Sequence, residues 1–442
     1  MDTIFAPISN LGGSVVSVRV SGKNAFNILD FFGISKNIYL KKDLFFARLK
    51  NEDGGDVIDE VVVKIFREPN SFTGENVVEF DLHANRLILN DVLEKMANIP
   101  NCRFAKNGEF SRRAFLNGKM NLIKSEGINA LIRAETEKQQ KLANEMFYGS
   151  VNKKYQEIRQ KLIEATSFVE TQIDFSEEEI PQNIINSVKN ITESLAREIA
   201  VCLDDKKAID KINNGLSVAI IGSPNVGKST LLNCLAKRNI AIVSPIAGTT
   251  RDVLSVDVDL DGYKVTFYDT AGIRESDDLI EQEGVKRAKK IAENADLCIV
   301  MFDEFKNLNI ENDAKKYKNA LFVVNKVDLL DKKDLYNINK DQNLIFISLL
   351  DRDGLDVLLK EIKKKVLQEL SIKSSPLVMN SRHELLLMQI VSFLKNIDFT
   401  NTPIEIISEE LRMSVNAIGQ ITGEIYTDDI LDNIFSKFCI GK

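Results

Sequence analysis

The segment Gly222–Ser229 reads GSPNVGKS and matches G-x-x-x-x-G-K-[ST], the pattern of a phosphate-binding loop. The apolar stretch Leu216–Ile221 (LSVAII) predicts a buried strand before the loop, and Thr230–Leu235 (TLLNCL) predicts the start of a helix after it. A strand–loop–helix turn directs backbone N–H groups and the positive end of the helix dipole at a bound anion. In such a loop Lys228 contacts the β- and γ-phosphates and Ser229 binds Mg²⁺. The sequence therefore predicts a site for a nucleoside triphosphate.

Three further motifs follow this loop in the order that a GTPase needs. In SPIAGTTRD (Ser244–Asp252), a threonine hydroxyl can bind Mg²⁺ when the γ-phosphate is present. DTAG (Asp269–Gly272) ends a predicted strand, so that Asp269 reaches Mg²⁺ through water and the Gly272 N–H contacts the γ-phosphate. NKVD (Asn325–Asp328) ends another strand. Its final carboxylate accepts two hydrogen bonds from guanine that adenine cannot donate, which predicts a GTPase rather than a general NTPase.

The residues that would position the attacking water are unusual. Ras-like GTPases place a glutamine soon after DTAG, whereas this chain has Ile273, which can neither donate nor accept a hydrogen bond. A cation near the phosphates, with Asn225 as an oxygen ligand, could supply the missing charge. Acidic residues of the following loop could orient the water, although a solvated surface is the alternative interpretation of that loop. They are Glu275, Asp277, Asp278, Glu281 and Glu283.

The composition indicates several folded domains. The chain has 442 residues and a net charge of −7, so it does not indicate a general nucleic-acid clamp, although a local basic face is compatible with it. Five scattered cysteines without a CxxC pair argue against a disulfide framework or a zinc ribbon and favour a reducing cytoplasm. The sequence shows neither a signal peptide nor an apolar run long enough for a membrane span.

The pattern along the chain predicts a multidomain α/β + α fold. Residues 1–118 are expected to form a mixed α/β domain and 119–213 the first part of a helical domain. Residues 214–370 are expected to form a parallel-sheet α/β domain inserted into it, and 371–442 its second part. Strands are expected at Ser14–Val20, Val57–Phe66, Leu216–Ile221, Lys264–Tyr268, Leu297–Phe302, Leu321–Val324 and Leu344–Ile347. Helices are expected at Asn24–Phe32, Leu87–Met96, Ser125–Tyr148, Lys154–Val169, Ile184–Leu203, Glu384–Asn396 and Pro403–Thr422. The acidic cluster Asp174–Pro181 (DFSEEEIP) favours a solvated turn over a metal site.

The chain resembles the tRNA modification GTPases called MnmE or TrmE along essentially its whole length. The resemblance rests on PNSFTGENVVEF (Pro69–Phe80), GEFSRRAFLNGKMNL (Gly108–Leu122), IDFSEEE (Ile173–Glu179), SPIAGTTRDVL (Ser244–Leu254) and the terminal FCIGK (Phe438–Lys442). Era-like and Der-like GTPases share the central motifs but not these flanks. The resemblance implies an N-terminal folate-binding and dimerisation domain and a helical domain that carries an inserted Ras-like P-loop GTPase domain. It also implies a cytoplasmic protein.

The resemblance implies a GTP-hydrolysing component of the tRNA wobble-uridine modification system. Such proteins act as homodimers with MnmG (GidA), a flavoprotein that uses FAD and NADH. Together they add a (carboxymethyl)aminomethyl-type group at C5 of the uridine, with a one-carbon unit from 5,10-methylene- or 5-formyltetrahydrofolate. Hydrolysis in the family needs Mg²⁺ and is activated by K⁺, which promotes contact between two G domains.

The resemblance also assigns roles to individual residues, in addition to those that the motifs predict. The GTP contacts are Asn225, Val226, Gly227, Lys228, Ser229, Thr230, Ser244, Pro245, Ile246, Ala247, Gly248, Thr249, Thr250, Asp269, Thr270, Ala271, Gly272, Asn325, Lys326, Asp328, Ser348 and Leu349. The Mg²⁺ ligands are Ser229 and Thr250, and the K⁺ ligands are Asn225, Ser244, Ile246 and Thr249. The catalytic glutamate is Glu281, the folate contacts are Arg19, Glu79, Lys119 and Lys442, and Cys439 lies at the C-terminal cysteine position. The alternative is that each of the four expected folate contacts is an ordinary surface charge. For Cys439, the alternative is that it is a small buried apolar residue without a chemical role.

The sequence departs from the family pattern in three places. His83-Ala84-Asn85 replaces His-Gly-Gly, Ser9–Ser14 has fewer glycines than usual, and Ser348-Leu349 replaces Ser-Ala at the guanine contact. Two other functions stay open on the residues alone. A ribosome-assembly or signalling GTPase would carry an RNA-binding GxxG clamp and a basic face, neither of which is found in the flanks. A folate-dependent one-carbon transferase with a regulatory G domain is the other alternative.

Overall fold

The structure, a computed structural model, describes residues 2–51, 55–174, 182–238, 241–242, 255–269, 290–303, 317, 319–329, 344–351, 353–368, 370 and 376–442. The chain divides into two compact units. The first comprises Met1–Asn129, Met146–Ile163 and Arg412–Lys442, and the second comprises Ala130–Glu145 and Glu164–Leu411. The domain boundaries expected after residues 118, 213 and 370 stay predictions.

Within the described residues, the first unit contains a six-stranded sheet in the order β3-β4-β5-β2-β1-β6. Its neighbours are antiparallel except for the β1–β6 pair. The strands are β1 (Thr3–Pro7), β2 (Val15–Ser21), β3 (Leu44–Lys50), β4 (Val57–Phe66), β5 (Val77–His83) and β6 (Cys102–Phe104). Both strands expected in this region are confirmed, β4 with the expected bounds and β2 one residue later than expected.

Alternating residues of β2 place its functional side chain on the face opposite the main core. Val16, Val18 and Val20 are fully buried, whereas Arg19 is half-buried on the other face. The four described helices of this domain are α1 (Asn27–Phe31), α2 (Lys36–Tyr39), α3 (Arg86–Ala97) and α4 (Glu109–Leu116). Residues of α1 and α3 belong to the main core, while Phe110 of α4 packs on Ile4 and Ala6. Since Ala6 lies beside Arg19 across the β1–β2 ladder, α4 covers the face that carries Arg19.

The helical prediction is confirmed with one correction. The described helices are α5 (Leu122–Arg133), α6 (Glu137–Phe147), α7 (Ser150–Asp174), α8 (Gln182–Asp204), α9 (Lys206–Asn214), α12 (Ser381–Asn396), α13 (Ile404–Thr422) and α14 (Asp428–Phe435). The prediction of a single helix at Ser125–Tyr148 is wrong, because the helix is interrupted between α5 and α6. Thr136-x-x-Gln139 has the sequence of a capping box but not its bonds, because Gln139 Oε1 accepts from the Glu135 N–H at 2.8 Å and the Thr136 hydroxyl has no hydrogen-bond partner among the described residues.

The second unit contains the α/β domain, whose described sheet has the order β12-β11-β10-β7-β9-β8. Its strands are β7 (Leu216–Gly222), β8 (Ser255–Leu260), β9 (Tyr263–Asp269), β10 (Leu297–Phe302), β11 (Ala320–Val324) and β12 (Leu344–Phe346). Helix α10 (Lys228–Ala236) follows β7, and α11 (Leu355–Gln368) follows β12. The five expected strands are confirmed as parallel neighbours.

One edge strand of this sheet was not predicted from the sequence. Strand β8 pairs antiparallel with β9. The turn between them is Asp261-Gly262, with φ of 53° and 83°, and Asp-Gly is the residue pair that two-residue hairpins favour. The acidic residues of β8 suit a half-exposed edge strand, which explains why no apolar run marked it.

None of the helices in the described ranges is long and apolar enough to cross a membrane. All five cysteines are free, and Cys439 is the exposed one among them.

Candidate functional site

The loop 222–229 takes the form that its motif predicts. Strand β7 ends at Gly222 and α10 begins at Lys228, with Gly227 as its N-cap at φ +107°. A Cβ atom on Gly222 would lie 2.5 Å from the Met301 carbonyl oxygen, and one on Gly227 would lie 2.3 Å from Asn325 Nδ2. Glycine is therefore required at both positions, because the loop passes directly against β10 and against the NKVD motif.

Lys228, Ser229 and Asp269 meet at the N-terminus of α10. The buried Lys228 Nζ atom donates to the carbonyl oxygens of Gly222 and Ser223, at 2.8 Å each. Burial lowers the pKa of Lys228, and the nearby Asp269 carboxylate opposes that effect. The Ser229 hydroxyl donates to Asp269 Oδ2 at 2.6 Å. This hydroxyl and carboxylate are oxygen ligands of the kind that Mg²⁺ prefers, so the donor set fits the expected ion.

Of the residues expected to bind the guanine base, Asn325, Lys326, Asp328 and Leu349 line one cavity of about 750 Å³, and Ser348 is buried behind Asp328. Asn325 connects the motifs, because its Nδ2 atom donates to the Val226 carbonyl at 2.8 Å. The Ser348 hydroxyl donates to Asp328 Oδ1 at 2.7 Å and so holds the base-reading carboxylate in place. The Leu349 N–H, expected to face guanine O6, donates instead to Asn325 Oδ1 at 3.3 Å. The cavity is lined by Asn225, Gly227, Thr230, Asn233, Cys234, Lys237, Arg238, Asn325, Lys326, Asp328, Leu329, Leu349, Leu350 and Leu355.

Several residues that line the cavity were not predicted from the motifs. Cys234 and Lys237 follow the expected contact Thr230 at helical spacing, and this spacing could have marked the face of α10 that lines the cavity. Leu329 and Leu350 are 77% and 82% exposed at the cavity wall, so they present apolar surface on which a base can pack.

Part of the expected site falls outside the described residues. The expected residues there are Ser244, Pro245, Ile246, Ala247, Gly248, Thr249, Thr250, Thr270, Ala271, Gly272 and the expected catalytic Glu281, as well as Ile273 and the acidic residues that follow it. Residues 175–181 of the acidic cluster lie outside the described residues too.

Arg19 and Glu79, two of the four expected folate contacts, are directly bonded. They are partners across the β2–β5 ladder, and Arg19 Nε donates to Glu79 Oε1 at 2.8 Å. The Arg19 guanidinium also lies 4.9 Å from the centre of the Phe72 ring and 5.6 Å from that of Phe110. This packing fixes the guanidinium on the sheet face that α4 covers, beside a carboxylate that is 8% exposed.

The C-terminal residues reach the same face. The Phe110 N–H donates to the Lys442 carbonyl at 3.2 Å, and the Gly108 N–H donates to that of Cys439 at 3.3 Å. Gly441 has φ +92°, and a Cβ atom there would lie 2.2 Å from the Pro7 carbonyl oxygen. Phe110 therefore contacts both Arg19 through its ring and Lys442 through its backbone.

Lys119 lies at the loop that carries Phe72. Its Nζ atom donates to the Pro69 carbonyl at 2.7 Å, and its side chain lies close to Gly74. The loop therefore connects Lys119 with Phe72 and, through that ring, with Arg19. That all four residues line one folate pocket stays a prediction.

A buried arginine holds this loop to the rest of the domain. Arg113, 5% exposed, bonds to Glu75, to Glu109 and to both the carbonyl and the carboxylate of Asp2. Burial raises the pKa values of Asp2 and Glu109, but bonds from Arg103 and Arg113 outweigh it and lower both.

The departure at His83-Ala84-Asn85 has a structural explanation. Asn85 is the N-cap of α3, and its side chain accepts from the Leu87 N–H at 2.8 Å. The His83 Nδ1 atom lies 2.7 Å from Asp59 Oδ1. An asparagine cap therefore starts the helix at the position where the family usually has a glycine.

Comparison with known proteins covers the whole chain. Residues 3–119 match the family profile "GTP-binding protein TrmE N-terminus", and residues 122–439 match "MnmE helical domain". The chain is 39% identical over 447 residues to "tRNA modification GTPase MnmE" of Rickettsia canadensis (strain McKiel). It is 41% identical over 448 residues to the protein of that name from Ehrlichia canis (strain Jake). Both alignments cover 100% of each chain.

Solved structures resemble part of the chain. A crystal structure of Era with MgGDPNP and nucleotides 1506–1542 of 16S ribosomal RNA is 33% identical and covers 34% of this chain and 56% of its own, with a TM-score of 0.28. The FeoB G-domain of Methanococcus jannaschii is 25% identical and covers 34% and 98%, with a TM-score of 0.26.

Proposed function

The chain belongs to the MnmE (TrmE) family of tRNA modification GTPases, and we propose that it hydrolyses GTP at residues 222–229 to drive the modification of a tRNA base. The observation that carries this proposal is the convergence of Lys228, Ser229 and Asp269 at the N-terminus of α10. Asp328 lines the adjoining cavity, and its carboxylate accepts a hydrogen bond from the Ser348 hydroxyl. This arrangement supports the proposal of a phosphate site beside a guanine-selective carboxylate.

In the proposed complex, Lys228 and the loop N–H groups bind the β- and γ-phosphates. Ser229 and Thr250 would hold Mg²⁺, which would supply positive charge to the phosphate oxygens, and Asp269 would reach the ion through water. Asp328 accepts the N1–H and N2–H₂ donors of guanine. Leu329 and Leu350 offer apolar surface to the base. Asn325 keeps the phosphate loop and the base-reading motif in register through its bond to Val226.

Hydrolysis needs a positive charge and a means of orienting the water, because Ile273 can supply neither. We assign the charge to K⁺, held by Asn225 with oxygens of Ser244, Ile246 and Thr249, and the water orientation to Glu281. Asn225 adopts φ +65° and lines the cavity beside Gly227 of the phosphate loop, which supports its assignment to the cation site. Formation of this cation site would favour contact between two G domains of a homodimer.

We assign folate binding to the N-terminal domain. Arg19 and Lys119 suit the glutamate tail of a tetrahydrofolate, the Glu79 carboxylate suits its pterin edge, and Lys442 closes the site from the C-terminus. The folate would supply a one-carbon unit for C5 of the wobble uridine, and the MnmG (GidA) flavoprotein would supply redox chemistry with FAD and NADH. The bonded Arg19–Glu79 pair and its link to Lys442 through Phe110 support this assignment.

The function is tested by nucleoside analysis of tRNA from a strain that lacks the gene. The strain should lack the modified wobble nucleoside, and the parent chain should restore it. Lys228→Ala should not restore it, because phosphate binding is lost. Normal nucleosides in the deletion strain would refute the role in tRNA modification.

The folate assignment has its own test, which is calorimetry with 5-formyltetrahydrofolate. Arg19→Ala should lose binding and keep its GTP hydrolysis rate, and Arg48→Ala, which removes an exposed arginine of β3, should change neither. Folate binding that survives alanine at all four expected contacts would remove the assignment.

A further inference from the structure

Tyr148 is an exposed aromatic residue at the corner between α6 and α7. Its side chain is 78% exposed, although a tyrosine ring is normally at least half-buried when it only fills a core. The Phe147 ring contacts it edge to face, with ring centres 5.0 Å apart and planes at 79°. Phe147 is itself covered by the Lys124 Nζ atom at 5.3 Å from its centre. Tyr148 is thus supported from one side and open to solvent on the rest of its surface.

The backbone on both sides of Tyr148 is fixed. A Cβ atom on Gly127 of α5 would lie 2.8 Å from the Phe147 nitrogen, so only glycine lets the end of α6 pack this closely against α5. Gly149, at φ +94°, turns the chain, and its carbonyl accepts from the Lys153 N–H at 2.8 Å as α7 begins. The exposed ring is therefore presented by a rigid corner between two helices.

The segment that contains Tyr148 has an excess of basic residues. Residues 119–163, from the loop before α5 into α7, carry nine Lys and Arg against five Glu, in a chain whose net charge is −7. Met146 and Val151, the apolar neighbours in sequence, are only 4% and 3% exposed, so neither extends the apolar surface of Tyr148. A protein interface normally buries a contiguous apolar centre, to which these two side chains contribute nothing.

We propose that Tyr148 is a stacking platform for an unpaired base of the RNA substrate, with Lys124 and Lys153 beside it to contact the phosphate backbone. Single-stranded RNA is bound by aromatic rings that stack on exposed bases and by cations along the backbone. This inference rests on the proposed function, since the RNA is the tRNA that the chain helps to modify. Lys119, an expected folate contact, lies in the loop that leads into α5, so the stacked base would be held in the same compact unit as the expected one-carbon donor.

The test measures binding of the full chain to a substrate tRNA and to its anticodon stem-loop, which carries 2-aminopurine in the loop. Tyr148→Ala and Tyr148→Leu should each bind about 5- to 100-fold more weakly, since both remove the aromatic face that stacks. Tyr148→Phe keeps that face and should bind as the parent does. The quenching of 2-aminopurine on binding should be retained in Tyr148→Phe and lost in Tyr148→Leu.

A second arm tests the cations. Lys153→Ala should reduce the slope of log affinity against log salt concentration by about 0.7, the value for one phosphate contact on a single strand. GTP hydrolysis and thermal unfolding should stay at parental values in every variant, because Tyr148 and Lys153 are exposed and lie outside the nucleotide site.

Equal RNA affinity for Tyr148→Leu and the parent would overturn the proposal, because a leucine cannot stack. If the Tyr148 variants lose binding to the flavoprotein partner but keep their RNA affinity, the corner is a protein interface, and the proposal is overturned as well. If the parent binds tRNA and no Tyr148 variant binds it more weakly, the stacking platform is refuted and the proposed function is not. A normal content of the modified wobble nucleoside in the deletion strain refutes the proposed function, so the two failures are distinguishable.

Discussion

Substitution of Gly441 by alanine should detach the C-terminal tail from the N-terminal domain. An alanine at φ +92° costs about 1–2 kcal/mol of backbone strain. Its Cβ atom would also lie 2.2 Å from the Pro7 carbonyl oxygen, which belongs to a β-strand and cannot yield cheaply. Relief of that contact displaces the tail, and the backbone bonds from Gly108 and Phe110 then lengthen or break, at about 1 kcal/mol each. The docked tail should lose about 3 kcal/mol in total.

Hydrogen exchange measures this loss directly. The Gly108 and Phe110 amides donate to the tail carbonyls, so in Gly441→Ala they should exchange about 100-fold faster, as 3 kcal/mol implies. Gly149→Ala is the matched control, because Gly149 has φ +94° and no atom within 4 Å of its added Cβ. It should carry the same backbone strain and leave both amides protected. Parental exchange at Gly108 and Phe110 in Gly441→Ala would refute the reasoning. Folate binding should weaken in Gly441→Ala while GTP hydrolysis is kept.

The remaining predictions concern the base, the cation and pH. Asp328→Asn should weaken GTP binding and relax the rejection of xanthosine triphosphate in nucleotide-binding assays; parental GTP affinity would contradict the NKVD assignment. GTP turnover should be high in K⁺ and low in Na⁺ at equal ionic strength, and Asn225→Ala should abolish the difference; equal parental rates in both salts would exclude the cation role. Glu281→Ala should bind GTP normally but hardly hydrolyse it in single-turnover assays, because only the water is misplaced; full activity would leave the acidic loop as a solvated surface. Because the pKa values of Asp2 and Glu109 are lowered in the folded chain, their stabilisation is fully present above the ordinary pKa range of a carboxyl and is lost as pH falls through their lowered folded pKa values. Arg103→Met should reduce the loss of unfolding free energy at acid pH, measured by urea unfolding. Arg48→Met, which removes an exposed ion pair, should leave that loss unchanged. An unchanged loss in Arg103→Met would contradict the role of Arg103.

The sequence was most informative where a local pattern determines local structure. The alternation in Val57–Phe66 gave the bounds of β4, and the phosphate-loop glycines marked a turn that only glycine permits. The break before Glu137 was missed because the apolar periodicity continues across it, although its capping-box residues were visible. Strand β8 was missed for the opposite reason, since an acidic edge strand has no apolar run.

Contacts between distant segments could not be predicted from spacing. Gly227 and Asn325 approach within contact distance although 98 residues separate them, and only the fold of the parallel sheet brings their loops to one edge. Likewise, the glycine of the terminal motif is explained by a carbonyl oxygen of β1, at the other end of the chain. Family resemblance indicated that these residues matter, and the structure adds the steric reason.

Nucleotide binding at the phosphate loop must exchange hydrogen bonds that the loop residues already make. Lys228 donates to two neutral carbonyl oxygens, whereas a phosphate offers it a charged acceptor, and hydrogen bonds to charged groups contribute about 1.5–3 kcal/mol against about 0.5–1.5 kcal/mol for neutral ones. In the proposed complex, Ser229 would bind Mg²⁺ and would then no longer donate to the Asp269 carboxylate. Asp269 would exchange that hydroxyl for a water of the proposed metal site. Since Asp269 ends β9 and directly precedes residues 270–272 of the DTAG motif, this exchange would couple the phosphate site to the segment where we propose that water is positioned.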